Sequence, residues 1–272
     1  DTWRGRALGA EATITVEGPP AAVAEGLRAA VAALRRAERL WSLHDARSTL
    51  ARLNAAGSVR ARDPAMAALL AACDRVHRLT HGAFDPTIQP LWRALAESAD
   101  AEALAQARAL VGWHRVRFGD GRVRLAPGQA LTFNGIAQGA AADLVVAALR
   151  DAGLARALVN TGEVAGFGAP WRIGIADPRH GPLGARSLSS GAIATSSPGA
   201  LSLGPDSHIL SPGGARPVWS TVSVEADTAT LADAVSTAAC LMPADRLAAL
   251  LERAPGLRRI TTVDADGDLR TL

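Results

Sequence analysis

Asp233 and Thr237, in the segment LADAVSTAAC, stand four residues apart. On a helix that spacing puts both oxygens on one face, one turn apart. A carboxylate and a hydroxyl so placed can share a hard cation such as magnesium, which takes oxygen ligands and keeps several waters. The plainer reading has Asp233 favouring the helix dipole from the first turn and Thr237 simply packing. A second stretch, NGIAQGAAAD (residues 134–143), has glycines at 135 and 139 ahead of an alanine-rich run that must be helix. Loops of that build hold phosphate at a helix N-terminus, yet this one offers Gln138 where a cationic side chain is usual. It could present N–H groups to an anion and a carbonyl to a metal, or be a plain turn that needs glycine for its sterics. Asn160-Thr161-Gly162-Glu163 carries the same ambiguity. His208, in SHILSP, neighbours two Ser/Gly-rich loops and is the best base candidate of the six histidines, although a lone histidine is often structural. Asp85, in AFDPT, reads as an Asx-type turn before Pro86, and Asp177-Pro178 and His44-Asp45 read as turn residues. HExxH, GxSxG, P-loop and Cys/His metal patterns are all absent.

Composition narrows the chemistry further. All 29 basic residues are arginine, and the chain has no tyrosine. Schiff-base chemistry, a lysine base and a tyrosine acid are therefore excluded. A net charge of +3, scattered along the chain, is too small for a nucleic-acid footprint. No apolar run approaches the ~18 residues of a membrane span. Cys73 and Cys240 lie in apolar helical surroundings and read as core thiols, with a disulfide as the alternative. The chain opens at Asp1 rather than methionine, so an exported protein whose leader has been removed is expected.

The elements that must position these residues follow from period and punctuation. Residues 12–16 read as a strand, and Pro19-Pro20 opens a long helix to about Trp41. Asp63 caps a helix with Pro64 at its first position. HGAFDPTIQPLW reads as a fixed loop, and a helix follows from Ser98 or Asp100 to about Val111. RVRFGDGRVRLAP is a hairpin. NGIAQG follows the strand-like run Ala130–Phe133 and starts a helix to about Ala152, closed by Gly153. ARALVN is a strand, NTGEVAGFG a glycine-rich turn, and WRIGIAD a strand. Residues 181–217 should carry short strands and loops. The strand VWSTVSVE, two helices and a last hairpin complete the chain. Without a regular βαβ repeat, internal repeat or linker, the expectation is one α+β domain over residues 1–272.

Several segments, in order, resemble the ApbE family of FAD:protein FMN transferases. Arg6-Ala7-Leu8-Gly9 resembles the family's "x-A-M-G", and WSLHDARSTLARLN its "S-x-[FY]-x-x-x-S-x-[LI]-x-R-[LF]-N" segment. GAFDPTIQPLW (82–92) is similar to "G-x-F-D-P-T-V-x-P-L-[WV]", NGIAQG to "G-[GA]-I-A-K-G", and Asn160-Thr161-Gly162 to "N-x-G-G". GAIATSS resembles "x-x-A-T-S-G", HILSP "H-I-x-D-P", and LADAVSTA "x-A-D-A-x-x-T". The resemblance implies an α+β, T-fold-related mixed sheet with flanking helices and a nucleotide cleft for FAD. Metal ligands for Mg²⁺ would fall on Asp233, Thr237 and the Gly135 carbonyl. FAD contacts would fall on Leu8, Phe84, Thr132, Gln138 and around Ile209, with His208 or Asp233 as base. The implied reaction moves FMN from FAD to a threonine or serine of a target redox protein, an exported or membrane electron-transfer subunit, and releases AMP. The implied location is the periplasm, with membrane association left open.

The departures cluster on the nucleotide side. The family's lysine is Gln138, and the aspartate six positions earlier is Thr132, as if an ion pair had become a neutral pair. "H-I-x-D-P-x-T-G" becomes HILSPGGA, with Ser211 for the aspartate, and "N-x-G-G-D" becomes NTGEV. Two other functions follow from such losses: an FAD pyrophosphatase, or an FAD-binding accessory protein with little or no transferase activity.

Overall fold

The computed structural model describes residues 1–272. β1 (Thr2–Ala7) and β2 (Ala10–Glu17) form a hairpin around Leu8 and Gly9, at φ 50° and 83°. Two successive positive φ values match the twist a two-residue hairpin needs. β1 lies outside the predicted elements, because its alternation is interrupted by Gly5. Helix α1 (Pro20–Trp41) has proline in its first turn, as expected, and buries Val23, Ala30, Leu34, Ala37 and Trp41 along one stripe. A short helix, α2 (Thr49–Ala56), also escapes the sequence reading. Its signals are the Ser48 cap, whose Oγ accepts the Ala51 N–H at 2.9 Å, and left-handed Gly57 at its end.

β3 (Ser58–Arg60) is followed by α3 (Pro64–Leu79), capped by Asp63 as expected. HGAFDPTIQPLW is a loop for only part of its length. After a 3-10 turn at Pro86–Ile88, α4 (Gln89–Ala96) begins, with Pro90 in its first turn where a missing N–H costs nothing. α5 (Ala101–Ala109) starts at the Asp100 cap, and β4 (Arg117–Gly119) and β5 (Arg122–Arg124) form the expected hairpin beside β3. Residues 130–133 are not a strand. The Asn54 side chain instead clasps Leu131, accepting its N–H and donating to its carbonyl, both at 2.8 Å.

The remaining elements are α6 (Ala137–Asp151), β6 (Arg156–Asn160), β7 (Val164–Asp177), β8 (Gly181–Ser196), β9 (Ser202–Leu203) and β10 (Asp206–Ser207). They are followed by β11 (Thr221–Ala226), α7 (Ala229–Ala239), α8 (Ala244–Arg253), β12 (Leu257–Val263) and β13 (Leu269–Thr271). The main sheet runs β1-β2-β6-β7-β8-β11-β12-β13, and every ladder is antiparallel, which narrows the expected mixed sheet within an α+β fold. β7 begins at Val164, earlier than predicted. The glycine-rich turn expected over residues 160–168 is confined to residues 161–163, and Gly168–Pro170 is an irregularity inside the strand, where register with β8 shifts between Phe167 and Trp171. β8 is a strand of 16 residues rather than short pieces. Pairing with β7 and β11 overrides its Gly/Ser-rich composition.

α1, α6 and α7 pack side by side on this sheet, α1 over β2, α6 over β6 and β7, and α7 over β8 and β11. α6 is the middle helix, and its small buried residues, Ala137 and Gly139 to Ala142, let its neighbours approach closely. Cys73 and Cys240 are buried and unpaired, as expected of core thiols. No helix is long and apolar enough to cross a membrane.

Asp177, read from sequence as a turn residue, is a buried hydrogen-bonding hub at the end of β7. It accepts the Ser220 and Thr221 hydroxyls, both at 2.6 Å, the Arg179 and His180 N–H groups at 2.7 and 2.8 Å, and His180 Nδ1 at 3.0 Å. Burial alone would raise its pKa, but the donors outweigh it and hold the carboxyl well below the usual range. A depressed folded-state pKa contributes stability that is complete above the unfolded value, about 3.9, and is lost as pH falls below it. Asp177→Asn is expected to cost about 2–3 kcal/mol at neutral pH. Urea unfolding from pH 6 to 3 should show a flatter pH dependence in the variant than in the wild type.

Candidate active site

α6 and α7 run antiparallel, and each supplies the carboxylate that caps the other. Asp233 of α7 accepts the N–H of Gly139, in the first turn of α6, through Oδ2 at 2.9 Å. Asp143 of α6 accepts the Ala229 and Thr230 N–H groups, both at 2.9 Å, and the Thr230 hydroxyl at 2.5 Å. Ile136 at the N-cap of α6 has no side chain able to do this work. The helix N-terminus that suggested a phosphate loop therefore already holds an anion, and the anion is Asp233. Gly139 makes the contact possible: a Cβ there would lie 2.2 Å from the Ala229 carbonyl oxygen and 2.8 Å from Asp233 Cβ.

Asp233 and Thr237 sit one turn apart on α7, as their spacing predicts, and the NGIAQG loop reaches them. A Cβ on Gly135 would stand 2.8 Å from Thr237 Oγ1, so this backbone passes in contact with the threonine side chain and a methyl there would have to displace it. Thr237 Oγ1 is 3.4 Å from Ser196 Oγ, which also pairs with Ser236 Oγ at 2.8 Å. Asp233, only 2 % exposed, keeps its second oxygen free of any hydrogen bond. A buried carboxylate oxygen, a hydroxyl and a carbonyl in a loop that passes within contact of that hydroxyl form a hard-oxygen donor set, which fits Mg²⁺.

These groups line a cavity of about 330 Å³, within the range of small-molecule sites. Phe84, Thr132, Gln138, His208 and Ile209 line the same cavity, so the structure brings together every candidate site residue except Leu8. Leu8, at the tip of the β1–β2 hairpin, borders an adjoining hollow of about 290 Å³ that shares Asn134 and Gln138 with the first. Its N–H is held by the Glu38 carboxylate. Phe84 is fixed at both ends, its N–H by Thr80 Oγ1 at 3.1 Å and its carbonyl by His77 Nδ1 at 2.9 Å. Ile209 donates its N–H to Ser207 Oγ at 3.0 Å. Asp85 makes the expected Asx turn, accepting the Thr87 N–H at 2.8 Å.

Thr132 and Gln138 do not replace an ion pair with a hydrogen-bonded one. Thr132 Oγ1 accepts the Asn134 N–H at 3.1 Å and holds the loop's turn, work an aspartate at that position could also do. The Gln138 amide lies over Gly162, where a Cβ would meet its Cδ at 2.6 Å. His208 lies just past β10, with Nδ1 3.0 Å from the Leu201 carbonyl. That partner only accepts, so Nδ1 is the donor in this contact, and Nε2 is the nitrogen left to offer a lone pair.

Among the lining residues to which the sequence assigned no side-chain role are Ser196 and Glu163. Ser196 had a signal in its place within GAIATSS. Glu163 is 8 % exposed, and its Oε2 accepts the Thr195 N–H at 3.1 Å. Burial first, then the charge of Asp233, raises its pKa well above the usual carboxylate range. Asp233 is raised as well, by burial and by Asp143, against the opposing Gly139 N–H. None of the chain's 29 arginines lines this cavity; its charged walls are Asp85, Glu163 and Asp233, with His208 the one basic side chain.

The ApbE family model matches residues 8–261. Among solved structures, the apo form of the Pseudomonas stutzeri flavinyl transferase ApbE superposes with a TM-score of 0.84 and 27 % identity, over 100 % of this chain and 93 % of its own. The ApbE protein of Thermotoga maritima gives 0.85 at 28 % identity, over 99 % of this chain and 96 % of its own. The Vibrio cholerae flavin transferase ApbE gives 0.85 at 21 % identity, over 100 % and 96 %, a likeness of fold. No curated protein matches the sequence.

Proposed function

The chain belongs to the ApbE family, and from that premise we propose that it transfers the FMN half of FAD to a threonine or serine hydroxyl of a target redox protein, releasing AMP, with Mg²⁺ required. The observation that carries this reading is the meeting of Gly135, Asp233 and Thr237 on one wall of a cavity that contains no arginine. A pyrophosphate cannot enter an acidic, buried cavity without compensating positive charge. Asp233, Thr237 and the Gly135 carbonyl would hold the cation. When bound, Mg²⁺ neutralises the pyrophosphate and makes AMP a better leaving group.

The chain's own residues do the rest. Phe84 and Ile209 offer apolar contacts to FAD, Thr132 and Gln138 offer neutral polar contacts, and Leu8 extends the lining through the hollow shared at Gln138. His208 is the base: its Nε2 lone pair takes the proton of the acceptor hydroxyl as that oxygen bonds to the FMN phosphorus. The P–O bond to AMP breaks in the same displacement. Asp233 is the less suitable base, because Gly139 holds one of its oxygens and the cation would take the other. The acceptor is an exported or membrane electron-transfer subunit on this reading, and the periplasm is the proposed place of work.

Incubation with FAD, Mg²⁺ and a candidate acceptor should add the mass of FMN to the acceptor, with flavin fluorescence in denaturing gels and one AMP released per transfer. EDTA should reduce transfer by at least about 10³-fold, and added Mg²⁺ should restore it. FMN and AMP appearing without an acceptor would make the protein an FAD pyrophosphatase. FAD bound with no AMP released under any of these conditions would make it an accessory binding protein.

A further inference from the structure

We propose that Glu163 is a further oxygen donor to the cation held by Gly135, Asp233 and Thr237, which gives this site two carboxylates rather than one. The inference rests on the cation reading above.

Glu163 stands in the turn between β6 and β7, on a different layer of the fold from Asp233. It is more than nine-tenths buried and lines the same cavity. The Thr195 N–H orients its side chain from β8 through Oε2, at 3.1 Å. Its other oxygen has no partner within the protein and is not sealed from the cavity. A carboxylate that is buried, oriented and left with a free oxygen needs either a proton or a cation. No arginine lines the cavity to supply the charge. Gly135, Asp233 and Thr237 together bring one negative charge to a dication that takes six oxygens. Glu163 brings a second negative charge and a further oxygen to that site.

Calorimetric titration of the full chain with Mg²⁺, in the presence of FAD, tests this without an activity assay. In E163Q the amide oxygen can still accept the Thr195 N–H, so the fold should persist, and thermal unfolding checks that it does. The expected result is a Kd for Mg²⁺ raised at least tenfold with unchanged stoichiometry, while D206N, altering a carboxylate outside this cavity, binds as the wild type does. A Kd for E163Q within twofold of wild type overturns the role of Glu163 and leaves the cation reading intact. Should E163Q not fold, E163A is read by the same criterion. Absence of Mg²⁺ binding by the wild type overturns both.

Discussion

Asp233→Asn is expected to lower FMN transfer by at least about 10³-fold, or roughly 4 kcal/mol of transition-state stabilisation, with little change in unfolding temperature. The substitution separates two roles that share one side chain. The asparagine carbonyl oxygen can still accept the Gly139 N–H that Asp233 accepts at 2.9 Å, so α6 keeps its cap. What disappears is the negative charge available to a cation. A neutral amide is also cheaper to bury than a carboxylate whose pKa burial has already raised. Asp233→Ala removes the cap as well and should lose both activity and about 1–2 kcal/mol of stability. AMP release followed by chromatography, alongside thermal unfolding of both variants, distinguishes the two. Transfer by Asp233→Asn within tenfold of wild type would take Asp233 out of the reaction.

Gly139→Ala should destabilise the fold by about 3 kcal/mol or more, on the order of a 10 °C fall in Tm for a chain of this size. The sign is informative, because glycine to alanine inside a helix ordinarily stabilises by up to ~1 kcal/mol. Here the added methyl would meet the Ala229 carbonyl oxygen at 2.2 Å. That atom belongs to the backbone at the start of α7 and cannot rotate away, so α6 and α7 must separate. Separation lengthens the Asp233–Gly139 and Asp143–Ala229 hydrogen bonds together, and flavin transfer should fall with stability. Calorimetric unfolding gives the answer, and a Tm equal to or above wild type would mean that the helices are not so closely apposed.

Most local signals in the sequence were legible, α2 with its Ser48 cap and Gly57 being an exception, and those that depend on distant partners were not. The spacing of Asp233 and Thr237 is a property of one helix, so it could be read directly. The approach of Gly135 to Thr237 spans about 100 residues, and only family resemblance connected them. The Asp63 and Asp100 caps follow from neighbouring residues. By contrast, the Asp143 and Asp233 caps each serve the other's helix, where no local pattern announces them. The buried side chain of Glu163, in a segment legible only as an ambiguous turn, was hidden for the same reason: its burial and its Thr195 contact depend on the β7–β8 pairing, and the composition of β8 argues for loops. Thr132 and Gln138, which the departures from the family pattern pair with each other, have separate local duties.

The reciprocal capping of α6 and α7 bears on how relatives of this chain should be judged. Asp233 holds Gly139 whether or not a cation is ever bound. A descendant that abandoned the reaction would still need that aspartate for its helix pair, just as this chain needs Asp143. Retention of the A-D-A signature is therefore weak testimony to activity. Thr237, Glu163 and His208 have no comparable structural duty to a helix end, and their loss would be the earlier mark of a protein that has kept the fold and given up the chemistry.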